Sequence, residues 1–483
     1  MERVLPKTLD YTDVLPLAVE SRARRRTFFP VNGQRFTSDG ANIIRIDLSA
    51  DALLDTQHSY LRFTWTNENG AVGGASASWG TAGGHSFIRR MRIEQSGTIL
   101  EDINSYNRLM GAVVLPCQST NEHRAERTIT EGILGFGNKN DGSAGDDFVT
   151  ATTYAGDGAG GFDPTKDCGT IVGGTYPTAS NYGPTDTYDF CIPLNSGLLN
   201  NEKLIPLMLM SAPLTIEIEM ASGTSACCWS ASTGGTYSLS NVRYIANLIE
   251  VGGDVSQQLR MVQEVSGGVL TLAGQTYRHF VGQLSAGGGD KIINVPARVK
   301  SMKSLFFASQ GLDSQSPPVS ADSNTTFDIE YGGNMGLSEY QLKIGSVVYP
   351  PTPVRCNFGD GTGDRTGVSS VRGETLMELA KSWGSVGSTK GMGQLCSQNY
   401  LDNVGSKSGS VGKVRYGPFG LDLEAFQRVA LESGVNTADR SLPISLVLNT
   451  LAGANQNAQN VDVFVLADAL FYLNADGSMS VSV

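Results

Sequence analysis

Charge is scarce in this sequence. Only 17% of its 483 residues are Asp, Glu, Lys or Arg, where soluble proteins usually carry about 25%. The balance is acidic, with a formal net charge of −11, which excludes bulk condensation of nucleic acid but not contact through a local basic patch. Long apolar runs are missing as well: no stretch reaches the roughly 18 apolar residues of a membrane-spanning helix. The opening residues, MERVLPKTLDYTD, lack the apolar core of a secretory signal. Asn324-Thr325-Thr326 fits the glycosylation pattern, but has no expected role without secretion. Cysteine is sparse, odd in number and irregularly spaced. The seven, Cys117, Cys168, Cys191, Cys227, Cys228, Cys356 and Cys396, include no C-x-x-C pair. They read as free thiols in a reducing compartment rather than a disulfide framework. The four histidines, His58, His85, His123 and His279, lie far apart and form no ligand pair, so no zinc site is expected. P-loop, G-x-S-x-G and H-E-x-x-H patterns are all absent. No cofactor, metal or enzymatic activity is expected, although a triad assembled only by folding leaves no mark in a sequence.

What is abundant is glycine, 58 residues, or about 12% against a usual 7%. With Ser and Thr and few helical periodicities, this is an all-β signature. Period-two alternation places Ile44, Ile46 and Leu48 on one face of a strand and Arg45 and Asp47 on the other. Leu61, Phe63 and Trp65 repeat the pattern, as do Met91 and Ile93 against Arg90, Arg92 and Glu94, and Thr215 to Met220. Gln95-Ser96-Gly97-Thr98 reads as a turn. A helix is expected over 101–114, with Ile103, Tyr106, Met110 and Val113 on one stripe and Glu101 and Asp102 in its first turn. The second half carries expected strands near 268–273, 290–296, 300–308, 324–331 and 340–349, with closing strands over 442–448 and 461–473. Short helices are expected over 375–383 and 422–431. At 483 residues the chain suggests more than one domain, and Val251-Gly252-Gly253-Asp254 is the natural division.

Several patterns invite chemistry and do not sustain it. Gly156-Asp157-Gly158-Ala159-Gly160-Gly161 satisfies G-x-G-x-x-G, but no apolar strand precedes it and Phe162-Asp163-Pro164, not a helix, follows. Asn138-Lys139-Asn140-Asp141-Gly142 with Asp146-Asp147 gathers oxygens, yet Val149 stands where a calcium loop needs a bidentate Glu. Asp360-Gly361-Thr362-Gly363-Asp364 reads the same way, as a solvated loop. The run Arg22-Ala23-Arg24-Arg25-Arg26 is different: four arginines in five residues suit phosphates or acidic head groups. Pairing with acids of a neighbouring subunit is the plainer alternative.

The order of elements resembles the double-jelly-roll major capsid proteins of Polinton-like viruses, virophages and adintoviruses. The stretches that carry it begin with Phe29-Pro30-Val31-Asn32-Gly33, Leu54-Asp55-Thr56 with Ser59-Tyr60-Leu61-Arg62-Phe63, and Phe87-Ile88-Arg89-Arg90-Met91-Arg92-Ile93. Leu100 to Asn107, Ile192-Pro193-Leu194-Asn195-Ser196-Gly197 and the 206–210 run continue it. In the second half, Tyr340 to Gly345 with Tyr349-Pro350, Leu421-Asp422-Leu423 with Ser433-Gly434-Val435, and Asp468-Ala469-Leu470-Phe471 are similar. The resemblance implies two tandem jelly-roll β-barrels: an N-terminal arm at 1–30, a first jelly roll at 31–251 with a surface-loop insertion at 131–185, and a second at 252–483. It further implies a non-enzymatic shell subunit of an icosahedral DNA-virus capsid, forming homotrimeric, pseudo-hexameric capsomers. Partners would be other copies, penton and minor capsid proteins, and packaged DNA or an inner membrane met through Arg22, Arg24, Arg25 and Arg26 on the arm. Its place would be the virion, assembled inside the host cell. The competing function is a viral attachment or lectin-like β-sandwich, which should show a stalk or repeat before its head. A glycosidase would need a carboxylate pair in a cleft.

Overall fold

The computed structural model describes residues 21–68, 77–79, 82–118, 127, 130–132, 186–229, 235–311, 337–356, 372–384, 418–424, 434–450 and 458–483. Two β-sandwiches follow one another. The first contains β1 (Ser21–Phe28), β2 (Ile43–Leu48), β3 (Leu53–Asn67), β4 (Ile88–Gln95), β5 (Thr98–Asn104), β6 (Thr187–Ile192), β7 (Leu214–Met220) and β8 (Tyr237–Val251). Its sheets run β1-β8-β3-β6 and β2-β7-β4-β5. The second contains β9 (Val269–Leu284), β10 (Gly289–Asn294), β11 (Met302–Gly311), β12 (Leu337–Ile344), β13 (Val347–Arg355), β14 (Phe419–Asp422), β15 (Ile444–Thr450) and β16 (Gln459–Asn474). Its sheets run β9-β16-β11-β14 and β10-β15-β12-β13. Every strand of the first thus has a counterpart eight places later, with the same neighbours, and all the pairings are antiparallel. This is the jelly-roll connectivity, twice.

Alternation builds the cores as the sequence indicates. Ile44, Ile46 and Leu48 of β2 point inward, and Ile46 lies opposite Ile216 of β7. Phe63 and Trp65 of β3 meet the rings of Phe87 and Trp79, each at 5.9 Å. In the second core Phe307 stacks on Phe419 at 5.0 Å, with Tyr340 edge-on at 5.1 Å. The near-continuous apolar run of β16 has a different origin. Val461, Val463 and Val465 fill its own sandwich, while Phe464 and Leu466 face the first one; a strand buried on both sides needs no polar face. The turn at 96–97 is a two-residue hairpin with φ +48° at Ser96 and +83° at Gly97, the left-handed pair such a connection requires.

Four sequence expectations change. Residues 21–28 belong to no arm: they form β1, paired with β8 from Ser21↔Val251 to Phe28↔Tyr244. The backbone ladder holds this strand, and only Phe28 is buried, so no apolar alternation announced it. The helix expected over 101–114 begins late. Glu101 and Asp102 lie in β5, where Asp102 takes a two-pronged bond from Arg90 at 2.8 and 2.6 Å. Ser105, in the left-handed region at φ +50°, then turns the chain into helix α1. This is a run of Tyr106–Arg108, Leu109–Val114 in π geometry, and Leu115–Gln118. The single strand expected over 340–349 is a hairpin, β12 and β13. Helix α2 (Gly253–Val265) was not anticipated and fills the crossing from β8 to β9; Met261 and Val265 face solvent, so it lacks a clean apolar stripe. The helix expected over 375–383 is present as α3 (Arg372–Ser382). The expected strand at 324–331, the bulk of the helix over 422–431 and residues 133–185 lie outside the described residues.

If β1 is a working strand, removing residues 1–28 should cost the Phe28 burial, about 1.5–3 kcal/mol, plus its share of the ladder. The urea midpoint of the truncated chain measures this, and a midpoint equal to the full chain would return 21–28 to the status of an arm.

Candidate assembly surfaces

The two sandwiches share one seam, and it is both apolar and ionic. Phe306, Ala308, Phe464 and Leu466 of the second join a single core with Tyr106, Leu109, Met110 and Leu198 of the first. At one end of the seam Arg108 of α1 reaches across. Its Nε lies 3.3 Å from Asp462 Oδ2, and its Nη2 donates to the Ser309 carbonyl at 2.8 Å. The other Asp462 oxygen sits 2.9 Å from His279 Nε2. At the opposite end Gln95 Nε2 donates to the Gly477 carbonyl at 3.0 Å, and Met479 N donates back to Gln95 Oε1 at 2.5 Å. Between them the carboxylate of Glu101 is fully enclosed, accepting from Ser196 Oγ, from Gly197 N at 3.0 Å and from Thr276 of β9.

These contacts fix polarity. Gln95 begins the β4–β5 turn and Gly477 follows β16, so the short-turn ends meet. Arg108 follows β5, Ser309 ends β11 and Asp462 begins β16, so the other ends meet too. Both sandwiches therefore stand the same way up. The connections 49–52, 96–97, 295–301 and 345–346 lie at the turn end, with the start of β1. The connections 68–87, 105–186, 312–336 and 356–418 leave from the loop end. The longest holds the 131–185 segment, and its flanks are pinned. Trp79 Nε1 donates to the Gly132 carbonyl at 2.8 Å, and Asn67 N to that of Asp186 at 3.0 Å. Glu131 takes both prongs of Arg127 at 2.5 and 2.6 Å and lies 3.1 Å from the buried His85.

The four candidate arginines separate by face. Arg22, Arg24 and Arg26 share the side of Phe28, beyond the point where the opposite sheet covers it; Arg25 points to the other side. Arg24 pairs with Glu250 at 2.8 Å, Arg26 lies over the Phe28 ring at 4.9 Å, and Arg25 donates to Tyr60 OH at 3.1 Å. All four are exposed at or near the turn end. Sequence reasoning found this cluster but missed the seam. His58, His85 and His279 each have a carboxylate partner, Asp55, Glu131 and Asp462. Those partners are 3 to 183 positions away, and nothing local signals the distant ones. Among the described residues no group of three or more His, Cys, Asp or Glu could hold a metal ion. The Gly156 to Gly161 and Asp360 to Asp364 patterns and the 138–147 oxygens lie outside the described residues.

The seam acids titrate in opposite senses. Burial pushes Asp462 up, but the His279 bond and the Arg108 charge outweigh it and hold the group below the usual carboxylate range. For Glu101 burial wins over its donors and the group is raised. A lowered carboxylate gives stability that is present above its unfolded pKa and lost as pH falls through the folded value. A raised one gives stability that is complete below its unfolded pKa and lost as pH rises through the folded value. Asp462→Asn should therefore flatten the fall in melting temperature below about pH 4, and Glu101→Gln the decline above about pH 4.5. Asp462→Asn should also cost about 3–5 kcal/mol near neutrality by orphaning buried Arg108. Scanning calorimetry from about pH 3 to 8 reads all three, and slopes identical to wild type would refute the assignment.

No protein-family model and no curated protein matches the chain. Solved structures do. The Faustovirus major capsid protein superposes with a TM-score of 0.57 at 9% identity, over 97% of this chain and 92% of that one. The mavirus major capsid protein gives 0.52 at 11% identity, over 100% and 96%. The PBCV-1 virus capsid gives 0.52 at 10% identity, over 98% and 99%. Across nearly its whole length the chain has the double-jelly-roll fold of these capsid proteins.

Proposed function

We propose that the chain is a major capsid protein, a structural subunit that trimerises into pseudo-hexameric capsomers of an icosahedral DNA-virus shell. The observation that carries this is the pair of strand-for-strand equivalent sandwiches standing the same way up, in the fold of the Faustovirus and mavirus major capsid proteins. Three such chains bring six equivalent modules into a ring, and a near-hexagonal block tiles a closed surface. The protein then belongs in the virion, with other copies as its first partners and penton and minor capsid proteins at the vertices and seams of the shell.

Polarity follows from the two ends. The loop end, bearing the 131–185 connection, faces outward, where length is tolerated because loop closure grows only logarithmically in cost. The turn end faces the contents, and Arg22, Arg24 and Arg26 beside it are the residues placed to meet packaged DNA or an anionic inner membrane.

Two measurements test this. Light scattering of purified protein should give three times the 51.2 kDa of the chain, since a permanent interface buries more than about 2,000 Å²; a monomer at micromolar concentration would sink the capsid reading. Limited proteolysis of assembled particles should cut within 131–185 and spare 21–28, and the reverse pattern would invert the polarity.

A further inference from the structure

Lys303 of the second sandwich is buried between two carboxylates, and the three side chains come from three neighbouring strands. Lys303 lies in β11, Asp468 in β16 on one side of it, and Glu424 just past the end of β14 on the other. Nζ is 2.8 Å from Glu424 Oε1 and 3.8 Å from Asp468 Oδ1. The side chains of Lys303, Glu424 and Asp468 are 8%, 12% and 5% exposed, so little water reaches them. Irregular backbone builds the group. The ladder between β11 and β16 shifts register between Met302 and Ser304, which makes Lys303 the extra residue of a bulge, a device that re-aims a side chain. Leu423 N donates to the Lys303 carbonyl at 2.8 Å and Glu424 N to Asp422 Oδ1 at 3.0 Å, fixing the chain that leaves β14 against the bulge. Ser301 Oγ donates to Asp468 Oδ2 at 2.6 Å, and Oδ1 is the oxygen near Lys303.

As an ion cluster the group is poorly balanced. One cation faces two acids, so full ionisation leaves a negative charge where burial makes charge costly. Glu424 Oε1 is buried and close to Nζ, yet among the described residues no donor meets it at a hydrogen-bonding angle. A native group left in that condition calls for a reason. The same three residues suit amide formation better. A lysine nitrogen is a nucleophile, a carboxyl carbon beside it is an electrophile, and a second carboxylate against the nitrogen can carry protons. The Ser301 hydroxyl singles out Asp468 as the electrophile, because it already donates to the oxygen that would gather charge.

We propose that Lys303 and Asp468 join in an isopeptide bond within the chain, with Glu424 moving the protons. The lysine ammonium gives one proton to Glu424, which delivers it to Asp468 Oδ1. A swing of the flexible lysine stem brings the free amine to Cγ. The Nζ–Cγ bond forms, and charge gathers on Oδ2 under the Ser301 hydroxyl. Glu424 takes the second proton from the nitrogen and passes it to Oδ1; the Cγ–Oδ1 bond breaks and that oxygen leaves as water. An ammonium and a carboxylate thus become a neutral amide and one water, Glu424 ends as the carboxylate it began, and no oxidant or co-reactant enters. Between free partners in water this condensation is unfavourable. Here the partners are held together, which is worth an effective molarity of about 10⁵ M or more, and the product removes two buried charges. Asp468 also lines a cavity of about 490 Å³ with Asn201 and Gln275, into which the released water can pass. The bond ties β11 to β16, the strand that both cores share.

Mass spectrometry of the purified full chain, denatured before measurement, tests this. The bond needs one chain only, so the result is independent of the capsid reading. Wild type should weigh one water less than its sequence, and a tryptic digest should hold one branched peptide in which Lys303 is uncut and joined to Asp468. Lys303→Arg keeps the cation without the amine and should show its full sequence mass, as should Glu424→Gln. Asp468→Asn offers the same carbon with ammonia as the leaving group, so its linked form should match the wild-type mass. Circular dichroism shows whether each variant is folded; where one is not, the wild-type mass and the branched peptide decide alone. A wild-type chain at its full sequence mass would overturn the proposal. So would a water loss that maps to other residues or survives Lys303→Arg, and a branched peptide formed as fully in Glu424→Gln would remove Glu424 from the step.

Discussion

The rest of the molecule depends on the seam. Each sandwich has its own filled interior, but only the shared surface decides how the two stand, and it does so with two chemistries. Apolar packing of Phe464, Leu466 and Phe306 against α1 supplies the attraction, which is indifferent to direction. Directional bonds then remove that indifference. Arg108 to Asp462 at one end and Gln95 to Gly477 at the other cannot both form if either module tilts or slides. A buried ion pair is a poor source of net stability, and here its geometric role explains its presence better than its energy does.

Equal connectivity has not kept the surfaces equal. The outward side of β2-β7-β4-β5 is laced by ion pairs across strands, including Arg45 with Glu94 at 2.6 Å, Arg92 with Glu217 at 2.5 Å and Arg90 with Asp102 at 2.6 Å. On the matching side of the second sandwich the central row is Ile292, Val447 and Gln341, without charge. One backbone plan thus carries two unlike exteriors. The two modules are chemically unlike even though their strand orders match.

Much of the fold was legible because half-buried strands write their burial into every second residue. β2, β3, β4, β7 and β15 could be read directly, and β16 could be read as a strand though not as one shared by two cores. What could not be read was whatever depended on partners far along the chain. β1 is held by backbone bonds to β8, more than two hundred residues later, and its side chains are mostly arginines. Ile103 and Tyr106 mimic a helical stripe across what is really a strand-to-helix junction at Ser105. Asp462 and His279 gain meaning only when β16 and β9 are paired beside α1. The arginine cluster stood out as composition, but its division between two faces of a strand needed the register of β1.

The two ends of the molecule differ in how much change they admit. At the turn end, Ser96 and Gly97 leave no slack, and the residue before them, Gln95, is clamped onto the neighbouring module. An added residue there would shift the clamp and, with it, the angle between the modules. At the loop end the chain leaves from anchored points such as Gly132 and Asp186, so a change of length between those anchors leaves the anchoring bonds themselves in place. Drift in sequence and length is thereby channelled to one pole, and a foreign peptide inserted between those anchors would be displayed without the scaffold registering it.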